Sequence, residues 1–198
     1  MSSAIAQNYH WISSFHIPIE YHLRKVFMED WGVPTGSVAK KLRTILYPGL
    51  TDHQVETIIV CLMARLLIEQ KLNGLLYRWL TQNAPSLAED ALWDKIVGVR
   101  FSKKFLPVAT FFDERFPEEK KTIWKINDLR NHIFHGRPIE KAKFEDQPLS
   151  EESTVERIFL AAQDVSMRFG RFEEVLDSLQ PFDEPWKNSL IEFGKSLF

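Results

Sequence analysis

From Thr51 onward, apolar residues recur at the three- and four-residue spacing of helices that bury one face. Thr51-Asp52-His53-Gln54 reads as a capping box: the threonine oxygen accepts an amide three residues on, and the glutamine side chain reaches back. It predicts a helix over about 52–80 with a stripe of Val55, Ile59, Leu62, Leu66, Asn73 and Leu76, weakened at Gly74. Pro85-Ser86, with Glu89 after it, starts a further helix through about Val97. Phe101 to Phe112 is aromatic-rich and helical in pattern, limited or kinked at Pro107. Pro117 suits a first helical position, with Glu118 and Glu119 at the positive helix end. That helix runs to about His135, with Gly136 as its C-terminal stop. Residues 136–150 are polar and read as a long loop. Ser153, with Glu156, caps the last long helix to about Leu179; Pro181 and Pro185 break it, and Trp186 to Phe198 forms a short terminal helix.

Residues 1–50 read as a separate helical appendage. Ile19 to Trp31 forms one amphipathic helix, broken at Trp31-Gly32-Val33-Pro34, and Ser37 caps a second that Pro48-Gly49 ends. No internal repeat, low-complexity tract or Asn-Gly or Asp-Gly hairpin turn occurs. The expected fold is all-α: a bundle domain over 51–198 preceded by an N-terminal helical extension over 1–50.

Composition narrows the class without naming a function. With 198 residues the chain buries a core without a staple, and a single cysteine, Cys61, leaves no disulfide framework. The first residues lack a signal-peptide pattern and no long uncharged apolar run occurs, so the expectation is a cytoplasmic protein with no membrane span. The net charge of −2 argues against a bulk polyelectrolyte binder. Its distribution is uneven: residues 100–144 hold eleven basic and six acidic groups, and residues 145–198 hold five and twelve. Such a block either focuses a local positive field or forms a solvated face beside a compensating neighbour.

Two charges fall on apolar stripes. Arg130 lies on the wheel among Ile123, Ile126, Leu129 and Ile133, and Glu69 lies among Ile59, Leu62, Leu66 and Leu76. A guanidinium aimed at a core needs a partner, so the two either face each other across packed helices or a dimer seam, or snorkel to water at the stripe edges. On the same helix Asn131 and His135 stack one turn apart. His135 sits in the last turn, where the negative helix end favours imidazolium. The loop beyond adds Arg137, Lys141 and Lys143. A fixed cation beside a titratable imidazole is a minimal kit for phosphodiester chemistry.

Leu129-Arg130-Asn131-His132-Ile133-Phe134-His135-Gly136 resembles the signature of the HEPN superfamily (higher eukaryotes and prokaryotes nucleotide-binding): an arginine, a polar residue, then a histidine four to six residues after the arginine. Arg100 to Phe105 also resembles the helix that precedes this motif in several members. The resemblance covers roughly residues 51–180. It implies an antiparallel bundle of four to five helices that forms a homodimer. It also implies a metal-independent endoribonuclease of toxin–antitoxin, defence or stress systems, with an antitoxin or regulatory protein as possible partner. Carried over, Arg130 and His135 form the catalytic pair, Asn131 is the polar support and Glu69 an orienting acid. Some toxin members place a tyrosine two residues after the histidine; Arg137 stands there in this chain.

The expected reaction is attack of a ribose 2′-hydroxyl on the adjacent phosphate of an RNA substrate, at a cleft shared by two copies. No metal and no cofactor is called for, because the nucleophile belongs to the substrate. Arg137, Lys141, Lys103 and Lys104 are the expected RNA-contacting cations, and Asn131, His132 and Glu69 the supporting residues. The alternative is a non-catalytic HEPN-like module for dimerisation, nucleotide or partner binding, or a regulator similar to the mannitol-repressor branch. No helix-turn-helix favours the regulator. His132 and His135 have a spacing that can ligate metal, yet no cysteine or carboxylate set completes a site. Phe101, Phe105, Phe111, Phe112 and Phe116 either stack bases or pack in the core, with helical spacing favouring the core. Cys61 reads as an inert core thiol.

Overall fold

The computed structural model describes residues 51–87, 91–134, 137, 139–178 and 185–198. The appendage over 1–50 with its two helices, and the assignments made to Glu89, His135, Gly136, Leu179 and Pro181, lie outside the described residues.

The described residues are mainly helical, as the periodicity predicts. Six α-helices occur among them: α1 Asp52–Asn83, α2 Leu92–Gly98, α3 Phe101–Arg115, α4 Pro117–Phe134, α5 Glu152–Ser178 and α6 Pro185–Lys195. Two short strands join them, β1 Lys143–Phe144 and β2 Gln147–Pro148. No helix among the described residues is long and apolar enough to cross a membrane. The chain divides into two compact units. The first takes in the described residues up to Leu66 and Trp124–Ala162; the second takes in Leu67–Ile123 and Gln163–Phe198.

In the first unit the capping box forms as its residues dictate. The Thr51 amide donates to Gln54 Oε1 at 2.9 Å, and the Gln54 amide donates to Thr51 Oγ1 at 3.2 Å. These bonds satisfy two backbone donors that a helix start would otherwise leave to water. Ile58, Ile59, Cys61 and Leu62 of α1 are buried, as are Ile126, Leu129 and Ile133 of α4 and Val155 and Ile158 of α5.

The stretch read as a polar loop is more ordered than its composition implies. A 3-10 turn over Ile139–Lys141 leads into an antiparallel hairpin with Lys143 opposite Pro148 and Phe144 opposite Gln147. Ile139, Ala142, Phe144 and Leu149 are buried, so four apolar side chains anchor a segment in which Lys141, Lys143, Glu145, Asp146 and Gln147 are exposed. The turn residues Glu145 and Asp146 have φ of 50° and 66°. That left-handed pair is what a two-residue hairpin needs, but Asn-Gly is its usual sequence. The Glu145 carboxylate is held by Arg157 on α5. His53 Nε2 bonds the Leu149 carbonyl at 3.0 Å, tying the start of α1 to the hairpin's exit.

The second unit is organised around aromatic rings. Phe105, Phe111, Phe112, Phe169 and Phe172 are fully buried, with Phe116 nearly so. Phe112 and Phe172 meet edge to face with centroids 4.9 Å apart, and Phe116 and Phe172 approach to 4.3 Å. Such tilted and edge-to-face contacts add to the stability gained by burying the rings. Pro107 lies buried within α3 and costs that helix one backbone bond. α3 packs on α6. At Gly194 on α6 a Cβ would lie 2.7 Å from a Leu80 methyl and 2.8 Å from a Leu87 methyl, so any larger residue there requires these two side chains to shift.

Three local expectations are corrected. α1 is not striped: Ile58, Ile59, Cys61, Leu62, Met63, Ala64 and Leu66 are all buried, so the helix is apolar around most of its girth. The helix expected from Pro85 to Val97 is instead a 3-10 turn over Pro85–Leu87 followed, beyond residues outside the description, by α2. α5 begins at Glu152, so Ser153 lies within its first turn rather than ahead of it.

Candidate functional site

The candidate catalytic stretch occupies the C-terminal turns of α4. Pro117 opens this helix, and Glu118 and Glu119 lie in its first turn, where their charge opposes the positive helix end. Arg130 is half-buried, and its guanidinium donates to Asn131 Oδ1 at 3.2 Å. The two candidates are therefore bonded neighbours. His132 is also half-buried. α4 ends at Phe134. Beyond it the Arg137 amide donates to the His132 carbonyl at 3.2 Å, a bond that spans five residues and closes the helix end. His135 is outside the described residues, so its distance from Arg130 is not part of the geometry.

The cations that follow face water. Arg137, Lys141 and Lys143 are exposed, as is Lys125 on α4. The hairpin turn adds two exposed carboxylates, Glu145 and Asp146, of which Glu145 is engaged by Arg157. The first unit therefore presents Arg137, Lys141 and Lys143 to water, with the exposed carboxylates of Glu145 and Asp146 at the turn and of Asp128 on α4.

Lys103, on α3 of the second unit, is exposed. Lys104, also expected as an RNA contact, is entirely buried. Its ammonium donates to Glu69 Oε1 at 2.6 Å, Asn73 Oδ1 at 2.9 Å and the Val97 carbonyl at 3.2 Å. Glu69 and Asn73 are themselves 3% and 2% exposed. Three donors thus meet three acceptors, and the carbonyl belongs to the last turn of α2. A fully bonded ammonium has no donor to offer a phosphate. Glu69, the expected orienting acid, is the carboxylate that neutralises it.

Sequence reasoning missed this cluster although its signal was present. Lys104 shares a helical face with Phe101, Phe105 and Val108, as Glu69 does with Leu62, Leu66 and Leu76. A lysine and a glutamate that each interrupt an apolar face are complementary, and burial forces them to pair. The phenylalanines Phe101, Phe105, Phe111, Phe112 and Phe116 are buried and belong to the core rather than to a base-stacking surface. Cys61 is fully buried, and desolvation pushes its thiol up to about 12, so the reactive thiolate is suppressed near neutral pH.

Compared with known protein families, with curated proteins and with solved structures, the chain matches none.

Proposed function

We propose that the chain is a metal-independent endoribonuclease whose chemistry is carried by Arg130 and His135 at a cleft shared by two copies. The observation that carries this reading is the Arg130–Asn131 pair. A guanidinium and a carboxamide are bonded side by side at the end of α4, directly ahead of His135 in sequence and of three exposed cations. Half-burial strengthens a guanidinium's interaction with an anion while leaving it reachable from solvent.

In this reading one His135 removes the proton from a ribose 2′-hydroxyl. The 2′-oxygen attacks the adjacent phosphorus, the bond to the 5′-oxygen breaks, and the His135 of the second copy protonates that leaving oxygen. The products are a 2′,3′-cyclic phosphate and a 5′-hydroxyl. Arg130 stabilises the charge on the non-bridging oxygens through its planar fork, and Asn131 holds the guanidinium in place. Arg137, Lys141 and Lys143 draw the strand in through its phosphates. Lys104 and Glu69 take no part, because each satisfies the other in the core.

The test is incubation of purified protein with RNA in the presence of EDTA. Wild type cuts; Arg130→Ala and His135→Ala each lose about 10²–10⁴ in rate. Cleavage that persists unchanged in either variant, or that requires added divalent ion, contradicts the reading.

One observation favours a second reading, a non-catalytic module that binds a nucleotide or partner at the same helix end. The carboxylate expected to orient the chemistry, Glu69, is committed to Lys104. In that case RNA or nucleotide binds in an Arg130-dependent manner and no product forms.

A further inference from the structure

We infer that the outer face of α5 is a self-complementary seam that pairs antiparallel with α5 of a second copy of this chain. The inference is read from α5 itself. It extends the proposed function, which calls for a twin, and rests on that reading for nothing else.

α5 is one uninterrupted helix of 27 residues. Leu160 and Met167 are 52% and 70% exposed, and they lie seven residues apart on one helical face. Of the large exposed apolar residues described, they are the two that share a helix. The same face presents Glu156, Gln163, Asp164 and Arg171, all exposed. Glu156 and Arg171 carry no ion pair among the described residues.

The order of these residues is symmetric about the point between Gln163 and Asp164. Leu160 stands three residues before Gln163, and Met167 three after Asp164. Glu156 stands seven before, and Arg171 seven after. A two-fold axis through that point therefore sets Leu160 against Met167 of the partner subunit and Glu156 against Arg171 of the partner subunit, each twice. This is the reciprocal pattern that a two-fold interface requires. Arg157, six before the centre and engaged by Glu145, faces Gly170, six after it. Around Gly170 there is open space where a Cβ would be, so the arginine stem meets no obstacle there. A parallel pairing would instead set Glu156 against Glu156 and Arg171 against Arg171, and like charges in register repel. The charge order thus chooses the antiparallel arrangement, and the polar centre fixes its register.

Sedimentation velocity on the full chain without RNA, from low to high micromolar concentration, tests the seam. Wild type shows a monomer–dimer equilibrium, and Met167→Glu sediments as a monomer. Glu156→Arg alone and Arg171→Glu alone each weaken association about tenfold, since two attractive contacts become repulsive; the double reversal restores it. All these positions are exposed, so the fold persists, which circular dichroism checks. The charge reversals test the register even if the methionine variant fails to fold. A monomer at every concentration, a dimer indifferent to both reversals, or a double variant that does not recover overturns the inference. A chain that associates as described but cuts no RNA keeps the seam and loses the nuclease; a monomer that cuts RNA does the opposite.

Discussion

Lys104 and Glu69 stand 35 residues apart in the sequence and meet at 2.6 Å, with the ammonium wholly buried and the carboxylate nearly so. The pair joins α3 to α1, and the Val97 carbonyl ties the end of α2 to the same ammonium. Burying two charges is costly, and their attraction together with the added bonds to Asn73 and Val97 offsets that cost. The cluster therefore fixes which helix faces meet more than it adds net stability.

Removing one partner has a sharper effect than removing both. Lys104→Met leaves Glu69 buried without its cation and lowers unfolding stability by about 3–5 kcal/mol. The double variant Lys104→Met with Glu69→Leu recovers a large part of that loss, since no charge remains stranded. Urea unfolding of wild type, single and double variants reads both. A single variant as stable as wild type would show that the pair is not sealed from water.

The broad helical frame was legible from residue spacing, and most sharply where a helix carries its own start signal. Thr51 and Gln54 announce the start of α1, and Pro117 announces α4. The Lys104–Glu69 pair was harder to read, since nothing local to either residue specifies its partner; burial on two different helices does. The hairpin was illegible for a different reason. Its turn is Glu145-Asp146, which is not a hairpin dipeptide, and four buried apolar side chains hold the segment in spite of it. The Arg130–Asn131 adjacency follows directly from sequence order. The stacking of Asn131 with His135 was a matter of helical phase, and His135 lies outside the described residues.

That turn yields its own prediction. Asp146 holds a left-handed conformation that glycine adopts without a Cβ penalty, so Asp146→Gly raises stability by about 1 kcal/mol. For a chain of this size the melting temperature rises by about 2–4 °C. Asp146→Val, which brings a β-branched side chain to the same backbone, lowers it. A melting temperature unchanged by both substitutions would mean that the turn is not held in this conformation.

Cys61 links burial to alkaline stability. Its folded value of about 12 lies above the ordinary 9.0, because burial disfavours the thiolate. The unfolded chain therefore loses its thiol proton first. The stability this contributes is complete below pH 9 and declines as the pH rises toward 12, by about 1.4 kcal/mol per pH unit. Cys61→Ala lacks this component, so its unfolding free energy falls less steeply with pH over that interval. Parallel alkaline profiles for wild type and variant would contradict the assignment. In the native protein at neutral pH the thiol also resists alkylation until denaturant is added.

In the proposed reaction the nucleophile comes from the RNA and is activated by Arg130, near the end of α4, together with His135. A synthetic RNA cut by the wild-type chain in EDTA, compared with the same oligonucleotide carrying a single 2′-deoxyribose at the cut position, tests this most directly. Attack by the 2′-oxygen yields a 2′,3′-cyclic phosphate from the first and no cleavage of the second at that bond. Cleavage of the deoxy-substituted bond, or a product with a 5′-phosphate, would contradict it.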